Sequence, residues 1–261
     1  MVTGANNTKE NPFKKGDLTV LPNNAVLSIV ISENFLVASL FDNDSTEIKA
    51  VRKYELDTPQ ESKNIAGALS KEMPKLPEKV VLIFMNDHYS VIPAPIYDSS
   101  MEKDYFKITH DNLPNNVEIT RNQMRELNSI NVFAYKKDFS KDILKYFPNA
   151  KIYHHTTILI EAFIRLNDQN KGNVFAYCRK DRLDLAFFDN NRKKMLLFNS
   201  YFISSAQDLI YYIIYSAEQL NIDMKDTELS IAGKVFKKED TIRFLKQYIY
   251  DVKEIESESF N

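Results

Sequence analysis

The chain has 261 residues, 44% of them hydrophobic and 27% charged, with a formal net charge of −2. This fits one large domain or two of ordinary size around a sizeable core, and the absence of a basic excess argues against a nucleic-acid partner. A lone cysteine, Cys178, excludes an intrachain disulfide and fits a reducing compartment.

The N-terminal MVTGANNTKENPFKK lacks the apolar stretch of a signal peptide. The longest apolar run, Leu209 to Ala217, falls short of the ~20 residues that cross a bilayer. A cytoplasmic protein with no membrane span is expected. Lys14-Lys15, Arg192-Lys193-Lys194 and Lys237-Lys238 read as short solvated charge runs.

Residues 1–20 are polar and are expected to form a tail or loosely attached segment. Three antiparallel strands follow, separated by turns at Glu33-Asn34 and Asp42-Asn43-Asp44, where short Asx side chains bond their own backbone. Thr58-Pro59 with Glu61 opens a helix. Ile65, Ala68, Leu69 and Met73 mark its apolar face, and an apolar strand follows at Val80 to Met85. Tyr89 to Ile96 begins an excursion whose Pro93 and Pro95 make it an edge strand or an exit. The core pattern resumes at Ile130 to Tyr135. Ser140 is expected to cap a helix carrying Ile143, Leu144 and Phe147. A strand at Lys151 to His155 and a helix capped by Thr156-Thr157 lead to a polar linker, Asp168 to Gly172.

The stretch Leu27 to Leu56 then recurs as Asn173 to Ile203. Phe41-Asp42-Asn43 falls on Phe188-Asp189-Asn190, an offset of 147 (189 − 42). A helix capped by Ser204-Ser205 and a strand at Leu229 to Ala232 follow in the same order as in the first half. A last helix, Glu239 to Tyr248, and an acidic tail close the chain. The expected organisation is a first domain over 21–168 with an inserted excursion near 88–129, a second over 173–254, and a tail over 255–261.

Two such tandem β-β-β-α-β units, with mixed sheets flanked by helices, resemble the α/β actin-like fold with its two ribonuclease-H-like halves. The stretch VVLIFMNDHYSVIPAPI, the polar excursion, and NVFAYKKDFSKDILKYFPNAKIYHHTTILIEAF are similar to the actin-like pilus-assembly and secretion proteins. The whole, from Leu21 to Lys253, also resembles a family of uncharacterised bacterial proteins with this fold. The resemblance implies ATP and Mg²⁺ as possible ligands of a cleft between the halves. ATP-binding members use glycine-rich turns so that backbone N–H groups approach the phosphates. Here the first turn, Ile31-Ser32-Glu33-Asn34, and the second, Cys178-Arg179-Lys180-Asp181-Arg182, have no glycine. Only Ala232-Gly233 stands where the adenine-side glycine pair would be. The nucleotide-site candidates are therefore Ser32, Glu33, Arg179, Lys180, Asp181 and Gly233.

Other chemistries find little support. A two-metal nuclease needs converging carboxylates, but Leu27 to Ile31 carries no acid and Asp181 and Asp184 lack an evident third. His154 and His155 are adjacent, so on a strand they would point to opposite faces, and a zinc site needs three or four converging ligands. Cys178, on an apolar strand, reads as an inert core thiol. On the last long helix Tyr211, Tyr212 and Tyr215 lie away from the core stripe, either buried under other elements or presenting a face to a protein partner or a second copy. The expected function is a binding or scaffolding module without efficient ATP turnover and with no catalytic or metal-ligating residue. A divergent nucleotide-binding ATPase or kinase-like enzyme is the alternative.

Overall fold

The computed structural model describes residues 13–45, 47–56, 61–73, 75–109, 113, 115–166, 173–189 and 194–255. The expected Thr58-Pro59 cap, Pro74, His110, the linker 168–172, Asn190, Arg192-Lys193 and the end of the C-terminal tail lie outside them. The chain divides into two compact units, Met1–Ile158 and Leu159–Asn261.

In the first unit β1 (Lys14–Lys15), β2 (Ala25–Ile31), β3 (Phe35–Asp42) and β4 (Ile48–Glu55) precede α1 (Glu61–Glu72) and β5 (Lys79–Phe84). β2 alternates buried and half-buried residues along its whole length, the period of a strand with one face in a core. The sheet order is β1-β4-β3-β2-β5-β9, where β9 is Lys151–His154. The meander β2–β3–β4 is antiparallel; β5 and β9 add parallel to it. The described part of the segment before β2, residues 13–24, is not loose: Lys14 pairs with Arg52, and Leu18 is buried. Arg52 explains why. Its guanidinium donates to the carbonyls of Lys15 and Gly16 and to the Glu72 carboxylate on α1. α1 buries Ile65, Ala66 and Leu69, and Met73 just past its end is buried too, while Ala68 of the expected stripe is exposed.

Between β5 and β9 the chain leaves the sheet. β6 (Tyr89–Pro93), α2 (Glu102–Thr109), β7 (Val117–Met124) and β8 (Ser129–Lys136) build a separate sheet ordered β6-β8-β7. Pro93 ends β6 at its edge, as proline requires. The insert thus extends through β8, beyond the expected end near residue 129, because β8 pairs with β6 and β7. β8 serves both: Ile130, Val132 and Ala134 face a small core with Tyr105 and Phe106, while Phe133 and Tyr135 join the main core. α3 (Lys137–Tyr146) follows without a break. Ser140 is therefore inside the helix, donating to the Lys137 carbonyl, and does not cap it. β9 passes directly into α4 (His155–Leu166), so Thr156 and Thr157 sit in the first turn.

The second unit contains β10 (Asn173–Cys178), β11 (Arg182–Phe188), β12 (Met195–Phe202), α5 (Ala206–Gln219), β13 (Glu228–Gly233), α6 (Lys238–Leu245) and β14 (Asp251–Ile255), in the sheet order β12-β11-β10-β13-β14. Ser205 caps α5, its hydroxyl accepting from the Asp208 N–H. β14 was not foreseen. The helix expected to run to Tyr248 stops at Leu245, and in place of a tail Val252 is buried beside β13.

The repeat holds residue by residue. The pair Leu27 and Leu40 recurs as Val174 and Phe187, and Phe35 and Glu55 as Arg182 and Phe202, all at the 147 offset (174 − 27). The bulge between Leu40 and Phe41 recurs between Phe187 and Phe188. The parallel pair Val26 and Lys79 recurs as Asn173 and Glu228, the later strand now offset by 149 (228 − 79). The second crossover is therefore two residues longer.

Candidate functional site

In each unit the turn after the first strand of the meander is held by the same three backbone bonds. In the first, Ser32 N–H donates to Phe35 O, Leu56 N–H to Asn34 O and Met85 N–H to Ile31 O, at 2.9, 2.9 and 2.8 Å. In the second, Arg179 N–H donates to Arg182 O, Ile203 N–H to Asp181 O and Lys234 N–H to Cys178 O, at 2.8, 3.0 and 2.7 Å. Each meander turn is thus tied to the strand end beside it. The sequence candidates Ser32 and Glu33 share one turn; Arg179, Lys180 and Asp181 share the other, with Gly233 beside Cys178 at its base.

The first turn borders a small open surface pocket lined by Ser32, Glu33, Asn86, His88, Tyr135 and Lys136 among others. Lys136 Nζ reaches Glu33 Oε1 at 3.4 Å, so an acid and a base face each other across the rim. Tyr135 stacks on Phe84 at 4.2 Å. Burial, and then the nearby Glu118 carboxylate, push its phenol well above the usual range and keep it neutral.

The second turn is basic. Arg179 turns inward: its Nε and Nη2 donate to the two carboxylate oxygens of Asp184, which is fully buried on β11, and Ser200 Oγ donates to the same carboxylate at 2.6 Å. Lys180 is exposed. Gly233 has φ +86°, and a Cβ there would stand 2.1 Å from the Cys178 carbonyl. Only glycine lets the two strand ends approach this closely. Cys178 is buried, and its thiol is pushed up to about 12 by burial and the Asp184 charge. It is no nucleophile at neutral pH.

The three tyrosines of α5 divide. Tyr211 and Tyr215 are exposed and stack on each other, with ring centres 5.4 Å apart. Tyr212 is half-buried and stacks on Tyr201 of β12 at 4.3 Å.

Sequence reasoning missed a buried polar network at the joint between insert and sheet. Asn122 and Asn131, on β7 and β8, bond the His154 N–H, the Ile152 carbonyl and the hydroxyls of Thr156 and Thr157. His154 Nδ1 lies 2.8 Å from Thr156 Oγ1, and its Nε2 3.4 Å from Asn86 Oδ1. The rings of His154 and His155 touch, with centres 4.5 Å apart, because the strand ends between them; they do not point to opposite faces. The signal was Asn131 itself, an amide in the middle of an apolar strand. Among the described residues no group of three or more His, Cys, Asp or Glu is placed to hold a metal ion, and no helix is long and apolar enough to cross a membrane.

A protein from Bacteroides thetaiotaomicron with an actin-like ATPase fold and unknown function superposes with a TM-score of 0.78 at 23% identity, over 89% of this chain and 91% of that one. A chain of the PilM–PilN type IV pilus biogenesis complex superposes with a TM-score of 0.52 at 11% identity, over 90% and 89%. No curated protein matches the chain. The fold is thus actin-like, as the tandem units led one to expect. The profile of the family described as "Protein of unknown function (DUF3822)" matches residues 19–252, and the chain belongs to that family.

Proposed function

We propose that the protein is a binding or scaffolding module that keeps the actin-like frame without efficient ATP turnover. The observation that carries this reading is the pairing of Arg179 with Asp184. The cation best placed in the second turn for a phosphate is folded onto a buried carboxylate. The first turn adds a second reason. Glu33 sets a negative charge, and a side chain, where bare backbone N–H groups would have to meet a phosphate. The similar fold in the PilM–PilN complex belongs to a two-protein assembly, in line with a protein-binding role here.

Exposed Lys180 keeps the ATPase or kinase-like reading as the alternative. The test is a thermal-shift titration with ATP, ADP and GTP, with and without Mg²⁺. A ligand that binds only the folded state must raise the melting temperature. No shift is expected; a rise of several degrees that Lys180→Ala abolishes would establish the alternative.

A further inference from the structure

We draw no further inference here: the strongest candidate, the surface patch of stacked, exposed Tyr211 and Tyr215 on α5, is an aromatic face for which nothing in the structure shows what covers it.

Discussion

Arg179 holds Asp184 by both carboxylate oxygens, Nε at 2.9 Å and Nη2 at 3.0 Å, with the aspartate side chain wholly buried and the arginine nearly so. Removing one member of such a pair strands a buried charge, which costs about 3 kcal/mol or more. Arg179→Ala should therefore lower the urea midpoint markedly. The double variant Arg179→Met, Asp184→Leu should recover much of the loss, since no lone charge remains. Equal losses in the two would show that the pair contributes nothing beyond packing.

High pH should destabilise the second unit. The Cys178 thiol rises from 9.0 to about 12 by burial and then the Asp184 charge; the Tyr177 phenol rises from 10.0 to about 12 for the same reasons in the same order. Both are neutral when folded and ionise more readily when unfolded, so their contribution is complete below pH 9 and fades as pH climbs toward 12. Urea midpoints should hold level to about pH 9 and then fall. Cys178→Ala should flatten the first part of that fall.

Gly233 and Gly67 form a matched pair of tests. Gly233→Ala puts a methyl into the Cys178 carbonyl at a φ that L residues avoid, and should cost about 2 kcal/mol or more. In Gly67→Ala the nearest atom is the Tyr146 hydroxyl at 3.1 Å, at the end of a side chain that can move, and the helix gains propensity. That variant should be close to neutral by chemical denaturation.

Arg52→Ala should free the N-terminal strand. The guanidinium supplies two bonds to the carbonyls of Lys15 and Gly16. Without them, limited proteolysis should cut near Lys14 and Lys15 several-fold faster while the rest of the chain resists.

The repeat was legible because its turns carry polar residues at the 147 spacing and its strands carry dense apolar runs. Two edge strands were not. β1 is only Lys14–Lys15, and its pairing depends on Arg52, far along the chain. β14 reads DVKEI, with one buried apolar residue, Val252, and no alternation to reveal it. Ser140 misled for a local reason. Serine favours caps, but α3 starts straight from β8, with Lys136 at the cap and no side-chain bond. At the candidate site the missing glycines could be read directly, but the commitment of Arg179 to Asp184 required knowing that β11 buries that acid. Tyr212 parted from Tyr211 and Tyr215 because Tyr201, on a different element, was there to receive its ring.

Asn122 does for β9 what a neighbouring strand would do. Its side-chain amide donates to the Ile152 carbonyl and accepts from the His154 N–H, each at 2.9 Å. The insert is consequently no detachable cassette. Excising His88 to Lys136 and rejoining the ends would strip two backbone groups of their partners, unroof Phe84 and leave the Thr156 and Thr157 hydroxyls without Asn131. A chimera with a relative's insert would fold only if it brought along amides at these two positions, so host and insert form a single inheritable unit.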